Sequence, residues 1–162
     1  MSKFCIPEYY KELPEIVEII QNPEFQFMVN YRHHGNVDCL HHSLSVAEKA
    51  FPIAVRLNAD IISTLRGALL HDFYLYDWHD GAPGLHGYSH PYSALREAAQ
   101  RFDLNCIERD IIKKHMFPLT PFPPLFRESW IVCVADKISA TGDYVEEMKR
   151  WRRPAHTQYQ RL

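Results

Sequence analysis

His71 and Asp72 stand side by side near the middle of RGALLHDFYLYDWHD, residues 66–80, where an apolar run ends. Consecutive helical side chains project about 100° apart, so on a core-facing helix the two cannot both reach solvent. An unpaired buried carboxylate costs several kcal/mol or takes up a proton. A divalent cation removes that cost, because it accepts a neutral imidazole nitrogen and a carboxylate oxygen together. Further donors must then come from other segments. His42 lies one turn before the apolar Val46 and Ala47, and Asp136 follows the apolar run WIVCVA. His42, His71, Asp72 and Asp136 thus compose one metal site drawn from three helices.

Those donors need a helical scaffold, and the chain supplies one. PEYYKELPEIVEIIQ carries Leu13, Ile16, Ile19 and Ile20 at helical spacing, with Pro14 disturbing its first turn. HSLSVAEKAFPIAVRL sets Val46, Ala47, Ala50 and Ala54 on one face, and Pro52 should bend or interrupt it. NADIISTLRGALLHD starts from Asp60 as a cap and puts Ile61, Leu65, Ala68, Leu69 and Asp72 on a shared face. SHPYSALREAAQRF takes Ser89 as cap and Pro91 in its first turn. NCIERDIIKKHM opens on an Asn105–Glu108 capping box. RESWIVCVADKISA and DYVEEMKRWRR complete the set. No segment alternates strictly enough to read as a half-buried strand. The expected fold class is all-α, a bundle of about six or seven helices, forming a single domain over residues 1–162.

Composition narrows the function. The net charge of −2 gives no basic surface for nucleic acid and no acidic tail. No apolar run is long enough for a membrane span, and MSKFCIPEYY lacks the apolar core of a signal peptide. The four cysteines form no CxxC pair, which argues against a zinc–thiolate site and a disulfide scaffold. A reducing cytoplasm is the expected location. The apolar, proline-rich FPLTPFPPLF is a candidate contact surface for a homodimer.

HHSLSVAEKA, LRGALLHDF and CVADKISA together resemble the H…HD…D signature of the HD-domain superfamily of metal-dependent phosphohydrolases, over residues 32–144. HHGNVDCLHHS, RGALLHDFYLYDWH, HGYSHP and KKHMFPLT also resemble a group of uncharacterised bacterial HD proteins. The resemblance implies an all-α fold with His42, His71, Asp72 and Asp136 as ligands. It further implies that His90 and His115 match the two extra histidines of two-metal members. Asp72 would then bridge, with His42, His71 and Asp136 on one ion and His90 and His115 on the other. Six nitrogen and oxygen donors suit a pair of iron or manganese ions, with nickel, cobalt or zinc as alternatives. One departure stands out: Phe73, Tyr74 and Leu75 follow the doublet where many members have a small residue, Gly and Lys.

Other groups have two readings each. Arg32 suits bidentate phosphate binding or is a solvated surface arginine; His33 and His34 stand beside it, and His34 is a further candidate for contact with substrate. Lys137 contacts a phosphate or forms a salt bridge. Asp77 is a general base, a partner that orients a histidine, or a surface residue. His86 touches substrate, replaces His90 as ligand, or does neither. His41 supports a ligand from behind or is structural, and His79 and His156 belong to the surface. Tyr74, Tyr76 and Trp78 are read first as packing and second as walls of a base pocket. The expected activity is hydrolysis of a small phosphoester, such as a nucleotide, by metal-activated water, with Asp72, Asp77 and Lys137 in catalytic roles. The alternatives are a mixed-valence di-iron oxygenase and a non-catalytic nucleotide sensor.

Overall fold

A computed structural model of the chain describes residues 8–34, 37–76 and 86–151, and the side chains of all of these but 9, 34, 86 and 143–151. The N-terminal part comprises α1 (Glu8–Lys11), α2 (Pro14–Ile20), α3 (Pro23–Phe27) and a 3-10 turn (Met28–Asn30). Two short strands follow, β1 (Arg32–His34) and β2 (Val37–Asp38). The long helices are α4 (Cys39–Arg56), α5 (Ile61–Leu70), α6 (His86–Arg101), α7 (Cys106–Lys114) and α8 (Arg127–Trp151). α4 packs on α5 and α8, α7 packs on α5 and α8, and α6 lies mainly on α7. The core runs between them through residues such as Val46, Ala50, Leu65, Leu69, Ile111 and Val132.

The all-α bundle is the architecture expected. Its N-terminal segment is more divided than one helix, for a reason the prolines give. Pro14 and Pro23 each stand in the first turn of a new helix, where a missing N–H is harmless. Asn22 caps α3 by accepting from the Glu24 and Phe25 amides at 2.9 and 3.1 Å. Asp60 caps α5 as expected, accepting from the Ser63 amide at 3.1 Å. The Asn105–Glu108 capping box is present in both directions.

Four local expectations are corrected. α4 starts at Cys39, earlier than the pattern suggested, because Asp38 caps it through the His41 amide at 2.9 Å, and it runs through Pro52 to Arg56. α6 starts at His86, so Ser89 is not its cap and Pro91 lies inside it. RESWIVCVADKISA and DYVEEMKRW lie on one continuous helix, α8. β1 and β2 pair antiparallel; strands of three and two residues are too short to show alternation.

Three contacts set the helix registers. Gly67 on α5 meets Ile111 on α7 so closely that a Cβ there would lie 2.4 Å from Ile111 Cδ1 and 2.9 Å from its Cγ2. Ser139 on α8 donates to Ser45 on α4 at 2.9 Å. The buried Arg66 on α5 donates to Glu108 at 2.7 Å, to the Glu15 carbonyl at 2.8 Å and to the Asp103 carbonyl at 3.0 Å, tying α5 to α2 and α7. The proline-rich segment holds Leu119, Phe122 and Leu125 at the surface. Among the described residues no helix is long and apolar enough to cross a membrane.

Candidate metal centre

α5 and α7 end in the same way. His71 and His115 are their C-caps, and the last carbonyls of a helix lack intrahelical donors. His71 Nδ1 donates to the Ala68 carbonyl at 2.7 Å, and His115 Nδ1 to the Ile112 carbonyl at 2.8 Å. Each ring so satisfies its own helix end and leaves the Nε2 lone pair for something beyond it. Gly67 and Ile111, one turn back from the two histidines, fix how near these ends approach. α4 and α8 repeat the device: Ser45 and Ser139 sit three residues past His42 and Asp136. Asp72 follows α5 in a turn and is buried.

The donors converge. His42 Nε2 lies 3.0 Å from Asp136 Oδ1, and His71 Nε2 lies 3.8 Å from that oxygen and 3.4 Å from Asp72 Oδ2. On the other side, Asp72 Oδ1 is 3.3 Å from His90 Nε2 and 3.4 Å from His115 Nε2, which are 2.9 Å from each other. Ligand bonds of about 2.1 Å place neighbouring donors roughly 3 Å apart around an octahedral ion and opposite ones roughly 4 Å apart. The separations fall in that range. His71 Nε2 and Asp72 Oδ1 are buried without a hydrogen-bond partner, an expense a bound cation would remove. The two oxygens of Asp72 face different donor sets, as a bridging carboxylate requires. The residues therefore fit one ion at His42, His71, Asp72 and Asp136, and a second at Asp72, His90 and His115.

The protonation states suit ligation. Burial drives the His71 pKa down to about 4, against opposing pulls from Asp72 and Asp136, so the ring is neutral near pH 7. Burial pushes the Asp72 carboxyl up, but the surrounding His71, His115, His33 and His90 outweigh it and hold it well below the carboxylate range. Asp136 is lowered the same way: its hydrogen bond with His42 and the nearby histidines outweigh burial. Neutral imidazoles and ionised carboxylates are the forms that bind metal.

A cavity of about 380 Å³ opens beside the donors. Asp72, His90, His115 and Asp136 form part of its wall, and Tyr74, Met116, Pro118 and Leu119 make the rest largely apolar. Tyr74 is buried, with its hydroxyl accepting from the Cys39 thiol at 3.3 Å. Burial and the Asp72 charge raise its pKa, so the phenol keeps its proton. Lys137 is the one lysine or arginine among the described residues lining the cavity. Its ammonium donates to the His115 carbonyl at 2.8 Å and stands 3.9 Å from Asp136 Oδ2.

The sequence-predicted ligands His42, His71, Asp72, His90, His115 and Asp136 are thus brought together. His90 comes from the second turn of α6 rather than from a helix start. Arg32 is exposed and does not line the cavity. His41 is exposed and tied to its capping residue Asp38 at 2.8 Å. Tyr76 is part-buried and leans on Tyr74 at 5.2 Å. Asp77, Trp78, His79 and His156, and the side chains of His34 and His86, lie outside the described residues.

The residue the helical pattern overlooks is His33. It is buried, stacks on the His42 ring at 3.7 Å, and places Nε2 2.7 Å from Asp72 Oδ2. Its only sequence signal is the pair His33–His34, since neighbours in an extended segment face opposite sides.

Comparison with curated proteins and with solved structures finds no match. The family model described as HD domain matches residues 39–141, more than half of the chain. That span contains all six converging donors, and the all-α bundle around them agrees with it: the chain belongs to the HD domain family.

Proposed function

We propose that the protein is a metal-dependent phosphohydrolase acting on a small phosphoester. The observation that carries this reading is the convergence of six metal-type donors from five helices, four of them at the wall of an open cavity. A divalent ion held there supplies Lewis-acid charge for phosphoryl oxygens and lowers the pKa of a bound water.

The chain's own groups divide the remaining work. His71 and His115, locked by their helix-end hydrogen bonds, keep their lone pairs aimed without further ordering. Lys137 brings positive charge to the cavity. An ammonium has three donors; the His115 carbonyl takes one and the Cys133 carbonyl, at 3.4 Å, a second. The Cys133 sulfur also lies at 3.4 Å, so a phosphate oxygen would take the place of one of the two long Cys133 contacts, which restores part of what the missing Gly-Lys after the doublet would provide. Tyr74, Met116, Pro118 and Leu119 offer apolar surface to the body of the ester and keep water from it. A cavity of about 380 Å³ suits a small ester such as a nucleoside monophosphate better than a polymer.

The test is a panel of phosphomonoesters and cyclic nucleotides with protein loaded separately with Fe, Mn, Co, Ni, Zn and Mg. Turnover that needs one of these metals and stops on chelation is the expected result. Silence across the whole panel would sink the hydrolase reading. Dioxygen uptake with a mixed-valence EPR signal in the iron-loaded protein would replace it with an oxygenase.

A further inference from the structure

We propose that His33 is a positioning residue: its Nε2–H holds Asp72 Oδ2, keeps the carboxylate spread between the two donor sets, and so retains the second ion. This rests on the two-ion reading above.

By distance alone His33, His42 and Asp72 form a third group of metal-type donors. Ring geometry argues against a shared ion. An imidazole ligates through a lone pair in its own plane. The His33 and His42 rings lie 3.7 Å apart with planes only 16° from parallel. Such planes meet far beyond ligand distance, which is about 2.1 Å. An ion on the His42 lone pair is therefore off the His33 one.

His33 instead addresses the carboxylate. Its Nε2 is 2.7 Å from Asp72 Oδ2. An ionised carboxylate only accepts, so the proton sits on Nε2, and a bond to a charged acceptor at this length is of the strong kind. That oxygen then serves two partners, the His33 N–H on one side and the His42–His71 donor set on the other. The second oxygen, Oδ1, is left beside His90 and His115 at 3.3 and 3.4 Å.

The terminal torsion of an aspartate is broad. Released from His33, the carboxylate can turn and give both oxygens to the first ion. Oδ1 would then be withdrawn from His90 and His115, and two neutral histidines alone would hold the second ion weakly. The strand pair β1–β2 and the stack on His42 keep the His33 ring in place.

Two substitutions separate the hydrogen bond from the stack. His33→Phe keeps a flat ring against His42 and removes the donor. His33→Gln removes the ring and keeps an N–H at similar reach. Mn(II) is the probe, with binding followed by calorimetry and the spin-coupled dimanganese signal by EPR. Wild type should take up two ions. His33→Phe should keep the first and bind the second about 10–100-fold more weakly, with the coupled signal giving way to that of isolated Mn(II). His33→Gln should hold the second ion within a few-fold of wild type. If wild type and His33→Phe hold both ions equally, the proposal alone is wrong. If His33→Gln loses the second ion while His33→Phe keeps it, the role is packing. Wild type that binds a single ion overturns the two-ion reading, and this inference with it.

Discussion

The two donor sets are built from different material. His42, His71 and Asp136 come from α4, α5 and α8, which pack on one another in the centre of the bundle. His42 and His71 are wholly buried, and the Ser45–Ser139 contact holds α4 and α8 in register. His90 comes from α6, which rests mainly on α7. The first set is thus organised by folding, whereas the second depends on how one outer helix sits. Affinity should follow that order, with the first ion bound more tightly than the second.

Asp72 is where the comparison can be broken outright, because each set owns one of its oxygens. Asp72→Ala should leave neither ion bound and lower kcat/KM by more than the ~10–100-fold typical of an outer-shell change. Elemental analysis of the purified variant, with the phosphoester assay, checks it. A variant that retains both ions would show that Asp72 does not bridge.

Removing one histidine from each set should sharpen the contrast. His42→Ala is expected to lose both ions, since the second set alone has two histidines and a shared oxygen. His90→Ala should keep the first ion and lose the second. Metal stoichiometry by calorimetry distinguishes them, and equal losses would mean the two sets are equally organised.

Acid should also find the first set. The His71 pKa is near 4 in the fold and about 6.5 in the unfolded chain. Between those values the unfolded chain binds the extra proton, so stability rises with pH across the window and is lost as pH falls through it. The metal-free protein should lose about 3 kcal/mol from this group between pH 6.5 and 4. Urea melts across that range measure it, and His71→Gln should flatten the dependence.

The smallest expected effect is at Gly67. Turning the Ile111 side chain moves Cδ1 and Cγ2 but not Cβ, which would lie 3.0 Å from the new methyl, so Gly67→Ala must push α5 and α7 apart. Overpacking typically costs about 1–3 kcal/mol, against roughly 1 kcal/mol gained in helix propensity. Thermal unfolding reads the net loss; a stabilised variant would show that the approach of the two helices is not tight.

Much of this site was legible because its donors end apolar helical runs. His71, Asp72 and Asp136 each close a stretch whose spacing declares a helix, and His42 borders a face of alanines and valine. Apolar periodicity reports the direction of a side chain only within a helix, and there the reading succeeded. His33 escaped because it sits on a three-residue strand, where no period can be measured. α6 was misplaced at its start because Ser89 and Pro91 imitate a cap and a first turn, whereas the helix already runs from His86. Arg32 drew attention by residue type alone, and residue type does not tell which side of a strand faces a cavity.

The matching ends of α5 and α7 carry an electrical consequence. A helix C-terminus presents about half a negative charge, spread over its last carbonyls, and two such ends meet here beside two ionised carboxylates. Before any ion arrives, this corner of the molecule draws cations and repels a phosphate. Under the phosphohydrolase function proposed above, assembly would have a direction: a metal bound first would reverse the local sign, and only then would an anionic substrate find the cavity attractive.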